Sequence, residues 1–170
     1  KGVIPFLYPT SVWASLWTVL TPFAWNRILR MSFGRFRYGF VNGLPEDQQR
    51  AAYERYVVPE TGRIFVQAAL APLTKTLQVD YQNSSRAPLL LIAGSKDHLC
   101  PEAEIRSNYA KYNGSSAVTE FKTFESRTHW IIGQDGWEEV AEYVAGWVGR
   151  MAGEPTKVRK TQTQAGQKVH

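Results

Sequence analysis

At 170 residues the chain has the length of one domain, or one and a fraction, and 44% hydrophobic with 21% charged residues is the make-up of a soluble globular protein. A net charge of +5 does not imply a nucleic-acid partner, because +3 of it lies in residues 151–170, where Lys157, Arg159, Lys160 and Lys168 oppose Glu154 alone. The single Cys100 excludes an internal disulfide and favours a reducing, cytoplasmic location, and three His without H-x-x-x-H or C-x-x-C spacing give no expectation of a metal or other cofactor.

Gly2 to Asn26 carries no charge and is long enough to span a bilayer. Pro5, Pro9 and Pro22 and five hydroxyl side chains argue for a buried or lid-like amphipathic segment instead, so membrane contact is not expected. Residues 1–10 read as extended. Thr10 or Ser11 is expected to cap a helix that Pro22 ends, with Trp13, Leu16, Trp17 and Leu20 forming an apolar stripe. That stripe either packs on a neighbouring layer or, through Trp13 and Trp17, walls an apolar pocket.

Asn26 to Phe40 interleaves Arg27, Arg30, Arg35 and Arg37 with Phe33, Phe36, Tyr38 and Phe40, a pattern in which Arg stems cover aromatic surface. Pro45 opens a second helix through Tyr56, and a third is expected from Glu60 to Leu70, stopped by Pro72. Residues 1–80 thus read as a helical, strandless, aromatic region that cannot easily form a layered core of its own and must lie on something else.

Asn83-Ser84-Ser85 marks a turn, and Leu89-Leu90-Leu91-Ile92-Ala93-Gly94 then reads as a strand buried on both faces. Asp97 follows its end, and Pro101 with Glu102 and Glu104 begins a helix that Asn113-Gly114 ends. Ala117 to Phe124 reads as a strand near a sheet edge, with Thr119, Phe121 and Thr123 on one face. After it come the loop Glu125 to Trp130, an Asp135/Glu138 capping box, and a last helix with Trp137, Val140, Ala141, Val144 and Val148 on its apolar face. Residues 151–170 read as a disordered basic tail.

Residues 81–150 are therefore a βαβα unit with a right-handed crossover, and the loops leaving both strands bring Asp97 and His129 to one sheet edge. An Asp that accepts the Nδ1 proton of a His fixes its tautomer and frees Nε2 as a general base. Leu99 and Trp130, beside the acid and the base, are candidate pocket residues. Cys100 reads as a helix-start residue, not a nucleophile.

Ser95-Lys96-Asp97-His98-Leu99-Cys100-Pro101 after its apolar strand, and Arg127-Thr128-His129-Trp130 before Gly136-Trp137-Glu138-Glu139-Val140, resemble the acid loop and the histidine loop of the α/β-hydrolase fold family. The resemblance covers roughly residues 1–150. It implies an α/β fold: the last parallel strands and helices of a hydrolase core, residues 81–150, preceded by a helical cap, residues 1–80. It also implies hydrolysis of an apolar small-molecule ester by acyl transfer, with Asp97 and His129 catalytic. The G-x-S-x-G nucleophile turn of that family has no counterpart in the 170 residues. The chain is expected to be the C-terminal portion of a longer hydrolase, inactive without its N-terminal half. The alternative is a non-catalytic binding protein that keeps the fold without the nucleophile.

Overall fold

A computed structural model describes residues 8–70 and 78–153; the expectations for Pro5, Pro72 and the basic tail beyond Gly153 lie outside these. The architecture is mixed α/β, with a two-stranded parallel sheet, six α-helices and a small antiparallel ladder among the described residues.

Helix α1, Pro9–Leu20, starts one turn-residue before the expected Thr10 or Ser11 cap. Tyr8 occupies the cap position without a side-chain bond, because Pro9 lacks an N–H to be satisfied and its fixed φ already suits a first helical residue. A 3₁₀ turn, Ala24–Asn26, follows, with Phe23 in the left-handed region at φ 59°. Strand β1, Ile28–Leu29, then pairs antiparallel with β2, Glu60–Thr61, which corrects the expectation of a strandless first 80 residues. Two-residue strands show no alternation to read, and this pair is set by packing: Gly62 N–H donates to Arg27 O, and a side chain at Gly62 would strike the Ala24 backbone.

Helix α2, Phe33–Gly39, lies inside the Arg/aromatic stretch, and α3, Glu46–Tyr56, takes Pro45 as its cap residue. Helix α4 is Arg63–Leu70, shorter than expected because Glu60 and Thr61 are in the ladder. Of the cations in the Arg/aromatic stretch Arg35 lies 5.3 Å from Trp17 and Arg30 5.2 Å from Tyr53, and Arg50 of α3 lies 4.8 Å from Phe33. This region closes around a small buried cluster and not a layered core, and it draws Trp130 of the histidine loop into that cluster. Phe36, Val41 and Ala52 are buried together, with Phe40, Tyr53 and Trp130 packed against them.

Strands β3, Leu89–Gly94, and β4, Thr119–Phe124, pair in parallel, Leu89 opposite Thr119 and Gly94 opposite Phe124. Helix α5, Glu102–Ala110, covers the Phe121 face, where Tyr109 stands 5.7 Å from Phe121. Helix α6, Trp137–Ala152, covers the other, with Tyr143 edge-on to Phe124 at 5.6 Å and Arg150 paired to Glu120 at 3.5 Å. The sheet is thus the middle of three layers. Only Ala93 and Gly94 of β3 are fully buried; Leu89 to Ile92 are half-buried, less enclosed than the apolar run implied. A two-stranded sheet leaves β3 one unpaired edge, and that edge opens its residues to solvent.

The capping box before α6 does not form. Gly136 caps the helix at φ 78°, and Asp135 instead accepts a bond from Gln48 at 3.2 Å. The apolar face of α6 is rotated as well. Val140 and Trp147 are buried while Trp137 and Val148 stand about half exposed, and Ala141 is exposed too. Val144 is half-buried. Helix α6 also runs into the expected tail, to Ala152, where Gly153 ends it at φ 75°. Among the described residues no helix is long and apolar enough to cross a membrane.

Candidate active site

The acid loop turns sharply after β3, and Asp97 N–H donates to Gly94 O at 3.1 Å. The histidine loop leaves the neighbouring end of β4 and crosses directly over Gly94. A Cβ there would collide with the carbonyl oxygens of Arg127 and Thr128, so glycine is required by close approach alone. Lys96 N–H donates to Arg127 O at 2.8 Å, Ser95 N–H to Phe124 O at 3.0 Å, and Ser126 N–H to Ser95 Oγ at 2.9 Å. The two loops are therefore laced together before either functional side chain is considered.

From that frame His129 Nδ1 donates to Asp97 Oδ2 at 2.9 Å across 32 residues of sequence. The other carboxylate oxygen, Oδ1, accepts the amide N–H groups of Leu99 and Cys100, both at 2.8 Å. The Asp97 side chain is 9% exposed and that of His129 31%. Each carboxylate oxygen thus has an assigned task. One is held by backbone, which fixes the plane of the carboxylate, and the other holds the imidazole. Among the described residues Nε2 of His129 has no hydrogen-bond partner.

The flanks of His129 are anchored separately. Thr128, almost wholly buried, gives its N–H and its hydroxyl to Gln134 Oε1 at 2.8 and 3.1 Å, and Trp130 N–H donates to Thr128 Oγ1 at 3.1 Å. Arg127 spans the loop base, donating to Asp135 O, Gly136 O and the Glu139 carboxylate. Phe40 meets the imidazole edge-on at 4.9 Å. These supporting residues carry no motif. Gln134 and Phe40 give no chain-level signal, because their role depends on contacts between distant segments.

Among the described residues four hydrogen bonds join the helical region to the loops, and each has its helical-region partner between residues 38 and 48. Trp130 N–H donates to Phe40 O at 3.0 Å, Asn42 Nδ2 to Lys96 O at 2.7 Å, His98 Nδ1 to Tyr38 O at 3.1 Å, and Gln48 to Asp135. His98, adjacent to the acid, is turned away from the pair.

An apolar cavity of about 260 Å³ lies within the helical region, walled by Trp17, Met31, Phe36, Phe40 and Phe65 among others and by Trp130 of the histidine loop. Phe40 and Trp130 join it to the pair: the first touches the His129 ring and the second follows it in the chain. Of the four candidate pocket residues, Trp17 and Trp130 line this cavity. Trp13 is 63% exposed and lines a separate groove with Arg37, Tyr38 and Glu46. Leu99 lines neither; its backbone N–H serves Asp97.

Burial first, then the charges of Asp97 and Glu104, push the Cys100 thiol up to about 12. A thiol held neutral there is a poor nucleophile. Among the described residues no three His, Cys, Asp or Glu side chains are grouped so as to hold a metal ion.

No protein-family model matches the chain, and no curated protein matches it either.

Proposed function

We propose that the chain carries the acid and base of an α/β-hydrolase, within the C-terminal portion of its core and beneath its helical cap. The observation that carries this reading is the Asp97–His129 pair, with Nδ1 bonded to Oδ2 at 2.9 Å and Oδ1 held by two amides, at the carboxyl ends of adjacent parallel strands. In the proposed reaction Nε2 of His129 takes the proton of a serine as that oxygen attacks the ester carbonyl. His129 then returns the proton to the departing alcohol, and water repeats the cycle on the acyl-enzyme. Asp97 keeps the proton of the neutral imidazole on Nδ1 and offsets the imidazolium charge. The serine is proposed to lie outside the 170 residues, since none of them forms a G-x-S-x-G turn. The apolar cavity beside His129 favours carboxylic esters of apolar small molecules over charged substrates.

A fluorophosphonate label on the complete translation product of the encoding gene tests this. The expected result is one labelled serine outside residues 1–170, with labelling lost in His129→Ala. Labelling that survives His129→Ala would remove the role given to His129. No labelling at all, with the Asp97–His129 bond still seen by NMR, would favour the second reading, a non-catalytic binding protein, which the missing nucleophile turn supports.

A further inference from the structure

Asp97 holds the His129 ring by one hydrogen bond, Nδ1 to Oδ2 at 2.9 Å. One bond restrains a point and not a plane. The χ2 torsion of a His side chain is broad and roughly two-fold, so an imidazole held at Nδ1 alone can rock, and Nε2 swings with it. The 31% exposure of the His129 side chain leaves room for that motion. A general base needs its free nitrogen aimed, because a displacement of about 1 Å can lower a rate on the order of 10²-fold.

The second contact on this ring comes from the helical region. Phe40 meets the imidazole at 4.9 Å between ring centres and 88° between planes. Phe40 is itself fixed. It is the residue that closes α2, its N–H donates to Phe36 O at 2.9 Å, and its ring stacks on that of Phe36 at 5.2 Å and 14°. Phe36 is 3% exposed and belongs to the buried cluster of the helical region. The backbone of Phe40 also holds the chain just past the base, since Trp130 N–H donates to Phe40 O at 3.0 Å. One residue thus meets the His129 ring with its side chain and the peptide after His129 with its carbonyl.

We infer that Phe40 is a positioning residue for His129. Asp97 sets the tautomer, and the edge-on contact with Phe40 sets the plane of the imidazole and with it the direction of Nε2. Withdrawal of the Phe40 ring leaves the Asp97 bond in place and the base without a fixed direction. As a statement about catalysis the inference rests on the hydrolase reading. As a statement about the orientation of the imidazole it does not.

The test uses the 170-residue chain and NMR relaxation of the His129 ring C–H bonds. Phe40→Leu keeps the backbone carbonyl and an apolar side chain but removes the ring. Phe40→Tyr keeps the ring, and Val41→Ala opens the same buried cluster while leaving the Phe40 ring in place. An order parameter of about 0.85 is expected in the wild type, in Phe40→Tyr and in Val41→Ala. In Phe40→Leu it should fall below about 0.6, with the low-field Nδ1 proton still present. A rigid ring in Phe40→Leu, or a ring loosened equally by Val41→Ala, would overturn the inference. Loss of the Nδ1 proton together with ring order would do so too, because Phe40 would then be holding the Asp97 bond itself. Should Phe40→Leu not fold, the wild type and Phe40→Tyr still decide, since a mobile His129 ring in either overturns the inference. In the complete protein Phe40→Leu should slow fluorophosphonate labelling on the order of 10²-fold. Labelling at the wild-type rate despite a mobile ring would overturn the catalytic part. A ring loosened only in Phe40→Leu, with no labelling of the wild-type protein, would leave the inference about orientation standing and remove the hydrolase reading.

Discussion

Asp97 has two separable duties, and substitution can separate them. Asn at this position keeps an oxygen for the Leu99 and Cys100 amides but turns an N–H₂ group toward His129, which then adopts the other tautomer. Asp97→Asn should therefore unfold near the wild-type midpoint in urea and lose the low-field Nδ1 proton. On the proposed hydrolase reading, the same substitution in the complete protein should lower kcat on the order of 10⁴-fold. Asp97→Ala strands both amides, at about 1–3 kcal/mol each, and should also shift the midpoint. Cys100 makes a different prediction. Its folded thiol titrates at about 12 against 9.0 for an unperturbed one, so the native state keeps a proton that the unfolded chain releases. Its contribution to stability is fully present below about pH 9 and is lost as pH rises toward 12. Cys100→Ser should flatten the fall in stability over that window, measured by urea unfolding at several pH values.

The elements that position the pair were largely legible in the chain. The β3 run, its breaker at Gly94 and the Asp97 loop follow from local composition, and so does the second strand ending before the histidine loop. Three features escaped because they are decided by contacts rather than by pattern. The β1–β2 ladder is two residues long, the α6 cap is a left-handed glycine instead of the Asp135 side chain, and the α6 face centres on Trp147. The cavity was legible in part: α1 periodicity singled out Trp17, but Trp13 on the same stripe faces a different groove. Phe40 and Gln134 were invisible because each acts on a residue far along the chain. Gly94 is the sharpest test at this scale. Gly94→Ala drives a methyl into the Arg127 and Thr128 carbonyls, and either the loop or the strand must move. A loss of about 1–3 kcal/mol in urea unfolding is expected, together with a weakened or absent Asp97–His129 proton signal, whereas an overpacked core site away from the pair would leave that signal intact.

Taken whole, the molecule has two packed regions that meet at one seam. The helical region closes on Phe36, Val41 and Ala52, and borrows Trp130 from the histidine loop to do so. In the sheet region Ala93, Phe124, Val140 and Trp147 are buried. Among the described residues the four hydrogen bonds that cross between them all use partners within residues 38–48 of the helical region, a seam along one margin. The side away from these bonds has no such cross-link among the described residues, and it is expected to open first. That side carries α1 and α4, whose Leu20, Ile64 and Leu70 are about half exposed or more and whose Trp17 and Phe65 wall the cavity. Hydrogen exchange should accordingly be fastest in α1 and α4 and slowest at the Trp130 amide. The reverse order would mean that the seam itself opens. With α1 and α4 opening first, the wall made by Trp17 and Phe65 would loosen while the Asp97–His129 bond stays held.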